Sequence, residues 1–333
     1  QEGNLPNSEI KRNNLSFSGS HELIEGLTAS TTFNFIKTDG LGRYGTGYDG
    51  NNQLISFRQW WQVNVDMKEQ RDAYFKLRQN VTWNPLGADN LHPIYTDNAY
   101  WGWYENYNSD TRNRFFGNVA VNYEVSDWIT AMARFTYDTY SELREERTEV
   151  GSVNIPGYIR QNRNLSEYNF DAIIEFRKDL SETLNLAGTV GFNLRRNEWN
   201  NTTSRTSDGL LVPNLFTLSN SVGPILSAQY DATKMVDGAY VQASLGYNDF
   251  AYLEGTFRSD RSSALPKDNN RYIYWSITGS LLFHQFLKQD WISFGKFRAN
   301  YGIVGNDTDP FRVFNTYDII NPPFNGGLVS NPD

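Results

Sequence analysis

Leu184-Asn185-Leu186-Ala187-Gly188-Thr189-Val190-Gly191-Phe192-Asn193-Leu194 decides the fold. Its even positions are apolar or glycine, and the odd positions between them, ending in Asn193 and Arg195, are small or polar. Successive side chains of a β-strand point to opposite faces, so this stretch reads as a strand with one apolar face. The division recurs from Phe115 to Val125, from Ile129 to Tyr137, from Ala239 to Tyr247 and from Ala251 to Phe257. It returns at Leu27 to Phe35, Tyr168 to Phe176, Ile273 to Phe283 and Phe297 to Ile303, and more weakly at Leu15 to Gly19.

Alternation alone also describes a soluble sandwich, whose apolar face looks into a core. Three details favour a membrane barrel. The segments run about ten residues or more, against about five or six in soluble sheets, and a tilted membrane strand needs about nine to eleven. The second face carries Asn, Thr, Ser, Arg and Glu, which suits a water-filled or plugged lumen. Aromatic residues make up 15% of the chain, and Trp128, Phe250, Tyr252, Tyr272, Tyr274, Trp275, Phe286 and Trp291 gather near strand ends, where an apolar ring with a polar edge suits the headgroup boundary.

The 333 residues carry a formal net charge of -8, and no basic stripe is present to hold a phosphate backbone, so nucleic acid is not expected as a partner. Mean hydropathy is -0.60. No run approaches the roughly eighteen apolar residues of a spanning helix. Cysteine is absent, which excludes disulfides and thiolate metal sites. Connections alternate in length: short near His21–Gly26, Ser126-Asp127, Lys178–Thr183, Asn248-Asp249 and Gln285–Asp290, and long across 37–110, 141–164, 196–237, 259–270 and from Asn306 onward. Short periplasmic turns and long extracellular loops are the outer-membrane pattern. Phe57, Trp60, Trp61, Asn64 and Met67 recur at helical spacing and predict a helix over Ser56 to Tyr74, with both tryptophans buried on it. About ten strands with such loops are expected to be part of a barrel of about 22 strands.

Two stretches carry a family resemblance. Phe257-Arg258-Ser259-Asp260-Arg261-Ser262-Ser263-Ala264-Leu265-Pro266-Lys267-Asp268-Asn269-Asn270-Arg271-Tyr272 closely resembles a strand–loop–strand signature of SusC/RagA-like TonB-dependent outer-membrane transporters. Phe297-Arg298-Ala299-Asn300-Tyr301-Gly302-Ile303-Val304-Gly305-Asn306-Asp307 is similar to the family's next strand and its Gly-Asn-Asp loop. The resemblance implies import of bulky nutrients, usually oligosaccharides and sometimes peptides, energised by the TonB complex, with a SusD-like surface lipoprotein as lid. It also implies that residues 1–333 are one partial barrel domain of a multi-pass outer-membrane protein. A plug, a TonB box and the terminal strands are not visible in this sequence, and with no signal peptide and loop-like ends a fragment is expected.

Candidate sites follow. Tyr100, Trp101, Trp103, Tyr104 and Tyr107, with Glu105 and Asn106 between them, gather rings and polar groups in one long loop. Sugar rings stack on such planes, and the same rings serve equally to anchor a partner or the loop itself. Arg258, Asp260, Arg261, Pro266, Asn269 and Arg271, with Lys267 and Asp268, are expected to brace a hairpin loop, and Gly305, Asn306 and Asp307 to form a turn. The Asn306–Asp309 run lacks the spacing of a calcium loop, and turn chemistry ahead of Pro310 explains it better. Glu142, Glu145, Glu146 and Glu149, interleaved with Arg144 and Arg147, read as a solvated loop base. His21, His92 and His284 fall in a turn, a loop and a strand end without catalytic context, so no enzyme, cofactor or metal is expected. An oligosaccharide transporter is the leading reading. A peptide transporter, a passive porin or adhesin barrel and a soluble glycan-binding β-protein are the alternatives.

Overall fold

The computed structural model describes residues 2–45, 47, 52, 54, 59–287, 291–315, 317–320 and 327–330. Strands β1 (Glu9–Ile24) and β2 (Leu27–Leu41) form the first hairpin. The long connection after them holds helix α1 (Met67–Leu77), a small hairpin of β3 (Pro85–Gly87) and β4 (Asn90–Pro93), and helix α2 (Ala99–Tyr104). There follow β5 (Ser109–Ser126), β6 (Ile129–Thr148), β7 (Gly157–Ser181), β8 (Leu184–Arg205), β9 (Leu226–Tyr247), β10 (Ala251–Ser262), β11 (Arg271–Leu281) and β12 (Phe297–Ile303). β13 (Tyr317–Ile320) and β14 (Gly327–Ser330) pair separately, inside the segment read as loop from Asn306 onward. β1, β2 and β5 to β12 make one ten-stranded antiparallel sheet in chain order, and all ten alternating segments of the sequence lie in it.

Strand register explains why the sheet belongs in lipid. Leu27, Tyr123, Ala131, Ile174, Val190, Val241, Phe257, Trp275 and Ile303 stand opposite one another in turn, forming one apolar row from β2 across to β12. Val190 is 47% exposed and Phe257 46% exposed, with no second layer over them among the described residues. Buried apolar residues such as Tyr74, Ala99, Trp101, Trp103 and Leu210 sit in the loops instead. An apolar face of this extent, on strands this long, suits a hydrocarbon solvent.

The opposite face is polar. Ala120, Arg134, Asp171, Asn193, Gly238, Asp260 and Tyr272 form the row shifted by three residues along each strand. Arg134 Nη2 donates to Asp171 Oδ2 at 2.8 Å, and Asn193 Nδ2 to Asp171 Oδ1 at 2.8 Å. Arg114 pairs with Asp138 in the same manner between β5 and β6. These bonds tie strand to strand on the lumenal side. At the short end the chain turns through Gly26, whose φ of 77° favours glycine, and through Asn248 and Asp249 at φ 47° and 56°.

Several expectations change. β7 is 25 residues long and β8 and β9 are 22 each, so much of 141–164 and 196–237 is strand rather than loop. Sequence alternation fades there because both faces are wet beyond the membrane. Glu142 accordingly is no solvated loop base: it lies in β6, only 2% exposed, held by Arg112 at 2.9 Å, Arg144 at 3.1 Å and Arg163 at 3.8 Å. His21 lies within β1, opposite Ala29, not in a turn. Helix α1 begins at Met67, because the Asp66 carboxylate caps it by accepting from Lys68 N at 2.7 Å. The expected helix is thus present over Met67–Tyr74. Gln59 and Trp60 form a separate π-helical turn with Trp60 63% exposed, and Trp61 leans on Trp83 at 6.3 Å. Ser56 and Phe57 lie outside the described residues.

Candidate functional site

Two constructions stand at the long-loop end of the sheet. The first is a cap made from the 42–108 connection and the turns that follow β6 and β8. Its keys are short amides. Asn98 is fully buried; its Nδ2 donates to Gln70 O at 2.8 Å and Val81 O at 2.7 Å, and its Oδ1 caps α2 through Tyr100 N at 2.8 Å. Asn84 Oδ1 accepts from Ile94 N, Tyr95 N and Thr96 N, which closes the turn after β4. Asp97 accepts from Asn80 Nδ2 and Val153 N, each at 2.7 Å, joining the first loop to the β6–β7 turn. Burial pushes the Asp97 carboxyl above its ordinary range, while those hydrogen bonds pull the other way. The third segment joins through Asn214 N, which donates to Glu149 Oε1 at 3.1 Å.

The five aromatic candidates all fall in this cap, and they divide by burial. Trp101 is 8% exposed and Trp103 4%; the Trp101 indole N–H donates to Ser152 Oγ at 2.8 Å. Tyr104 stacks on Tyr74 at 5.7 Å, and Tyr100 meets Trp103 edge-on at 5.1 Å. Tyr107 lies under the Arg147 guanidinium at 4.6 Å. The two tryptophans therefore build the loop's own core, while Tyr100, Tyr104 and Tyr107 remain half-buried.

The second construction is the corner where β9, β10 and the segment after β12 meet. Arg258 Nε donates to Asp260 Oδ2 at 2.9 Å, and Arg261 Nε to Asp237 Oδ1 at 3.0 Å. Arg271 Nη1 donates to Ser259 Oγ at 3.1 Å. Lys267 and Asp268 sit in a 3-10 turn after Pro266 and, among the described residues, make no ion pair. That turn closes where Asn269 N donates to Pro266 O at 2.9 Å. Asp307, expected from sequence as part of a turn, is also a hub. It accepts from Lys234 Nζ at 2.8 Å and Ser262 Oγ at 2.6 Å, after Asn306 Oδ1 has accepted from its own N–H at 3.0 Å. Burial works against the Asp307 charge, but Lys234 and Ser262 hold its carboxyl below the usual range. Nothing in the local sequence marks Lys234, because its partner lies 73 residues on. Gly305 lies against the Tyr274 ring.

No family model matches the sequence, and no curated protein is similar to it. The fold is similar to solved structures of the RagAB peptide transporter. One aligns with a TM-score of 0.70 at 14% identity, covering 97% of this chain and 36% of that one. The RagAB peptide importer in its closed-closed state gives 0.71 at 14% identity, and the open-open state 0.69 at 15%. The chain thus spans about a third of the length of those proteins, as 36% in each case.

Lipid-facing rows, a polar inner wall and strands that outgrow the bilayer define the class: a segment of an outer-membrane β-barrel. Within it, the chain has the fold of part of a TonB-dependent transporter barrel, similar to that of the RagAB structures.

Proposed function

We propose that this chain is part of a TonB-dependent importer of bulky nutrients, with peptides as the first substrate class and oligosaccharides as the second. The observation that carries the reading is the fold likeness over 97% of the chain to a peptide importer. It favours peptides over the oligosaccharide expected from sequence, because nothing in the cap geometry singles out a sugar. The buried Trp101 and Trp103 take away two of the five planes on which a sugar ring would stack. Tyr100, Tyr104 and Tyr107 are the ligand or lid contacts of this proposal, and the Arg258–Asp307 corner is its brace. The free edges of β1 and β12 need strand partners in lipid, which further strands of a larger barrel supply. A SusD-like lipoprotein over the mouth and a TonB complex acting on an N-terminal region complete the proposed assembly.

Uptake of labelled peptide and oligosaccharide mixtures into cells carrying the full-length protein tests this. Peptide uptake that falls to background in cells lacking TonB is the expected result. Uptake unchanged by loss of TonB indicates a passive porin, and oligosaccharide uptake alone reverses the substrate order.

A further inference from the structure

The outward face carries one anomaly. Arg261 of β10 and Arg271 of β11 stand directly opposite each other in the strand register. Both share the face of Phe257, Ile273 and Trp275, which alternate with inward residues on the same strands, and both are exposed. Elsewhere on this face charged residues meet opposite or neutral partners: Lys11 faces Asp39, Glu145 faces Arg160, and Asp237 faces Arg261. Among the described residues of the sheet, Arg261 and Arg271 are the only like-charged pair on the outward side. Like charges directly opposite destabilise a sheet.

Their surroundings compensate only half of this charge. Arg261 leans to β9, where Nη2 lies 2.9 Å from Asp237 Oδ1; its side chain stays 50% exposed. Among the described residues, Arg271 has the neutral Ser259 hydroxyl, at 3.1 Å, and no carboxylate. The row Asp237, Arg261, Arg271 therefore holds two guanidinium groups and one carboxylate. Its height is equally telling. One step toward the short turns lie Ala239, Ser259 and Ile273, then Val241, Phe257 and Trp275. One step the other way lies the 263–270 loop on the long-loop side. The pair thus stands at the outer rim of the apolar band, where water gives way to the outer leaflet.

From this placement we infer that Arg261 and Arg271, with Ser259, form a binding site for the phosphate of an outer-leaflet lipid headgroup. An arginine fork matches a phosphate with two parallel hydrogen bonds, which Arg271 supplies, and Arg261 on the adjacent strand adds the N–H groups that Asp237 leaves unused. The acyl chains of that lipid then lie along Phe257, Ile273 and Trp275. A phosphate between the guanidinium groups removes the like-charge repulsion, and Ser259 offers it a hydroxyl. The site faces away from the lumen, so it works whether or not the transported nutrient is a peptide.

The experiment uses the full-length protein in detergent, washed and then offered labelled bisphosphorylated lipid A in phosphatidylcholine vesicles. The wild type retains the label, and Arg261→Gln with Arg271→Gln lowers retention by roughly tenfold, the loss expected for charge-assisted hydrogen bonds. Arg261→Lys with Arg271→Lys keeps part of it, since charge survives while the fork is lost. Lys11→Gln, on the same face and already paired with Glu9, leaves retention unchanged. Heat-modifiable migration on gels shows that each variant is assembled. Equal retention by the double Gln variant, or equal retention of dephosphorylated lipid A by the wild type, overturns the proposal. Displacement of the label by inorganic phosphate at millimolar concentration also overturns it, by showing a free-anion site. Nutrient uptake is measured separately, so loss of lipid retention does not depend on the transport reading.

Discussion

At the scale of single residues, the corner around Asp307 shows how one buried carboxylate ties two strands to the segment after β12. Lys234 is 12% exposed and Asp307 7%, so the pair is mostly shielded, and removing one partner leaves a buried charge behind. Lys234→Ala is expected to cost about 3 kcal/mol, read as a shift in the urea midpoint of the refolded barrel, and Lys234→Met with Asp307→Leu recovers most of it. The pH dependence has a definite sign. Asp307 has its carboxyl lowered in the folded protein, so its contribution is present above the ordinary value near 3.9 and is lost as pH falls through the folded value. Gly238 is the second case. A Cβ there meets Asp260 Oδ1 at 1.8 Å, and Arg258 holds that carboxylate in place. Gly238→Ala is therefore expected to break the Arg258–Asp260 bond and lower the same midpoint, whereas Gly255→Ala, with open space around it, leaves the midpoint unmoved.

Between residues and the whole lie the strands and loops, and here sequence and structure part company by region. Within the bilayer, one face of each strand must be apolar, so alternation from Leu184 to Leu194 or Phe115 to Val125 is readable directly. Beyond it, β6 to β9 continue with polar residues on both faces, and hydropathy no longer distinguishes strand from loop. The cap is legible only as a concentration of asparagine and aromatic residues between Asn80 and Tyr107; which rings are inside follows from long-range bonds such as Trp101 to Ser152. The sequence marks Arg258, Asp260, Arg261 and Asp307, but not Asp237, which pairs with Arg261, or Lys234, which pairs with Asp307, since both come from another strand. Asp97 gives the cap a pH response opposite to that of Asp307. Its folded carboxyl is raised, so its contribution is fully present below the ordinary carboxylate value and declines as pH rises through the folded one. Proteolysis of the 42–108 loop in the assembled protein is expected to slow as pH falls from 7 toward 4. Asp97→Asn flattens the profile relative to wild type, and identical slopes for the two would show that another group sets it.

For the molecule as a whole, the decisive property is that its two faces have different solvents. Val190 and Thr189 are neighbours on β8, with the same backbone and the same adjacent strands, yet one looks into lipid and the other into the lumen. An arginine on the lipid face near the bilayer midplane costs about 2–4 kcal/mol, and a lumenal one costs far less. Val190 lies in the continuous apolar row between Ile174 and Val241, so Val190→Arg places a charge in hydrocarbon with no counter-ion within the row. Thr189 lies opposite Glu175 on one side and Gln242 on the other, so Thr189→Arg meets a carboxylate and an amide. Refolding into bilayers of graded acyl length separates the two. Val190→Arg should lower the folding midpoint by that margin, and more in thicker bilayers, while Thr189→Arg should fold within error of the wild type. Equal penalties for both would mean that the two faces share one solvent, and the sheet would then have to be read as a soluble one.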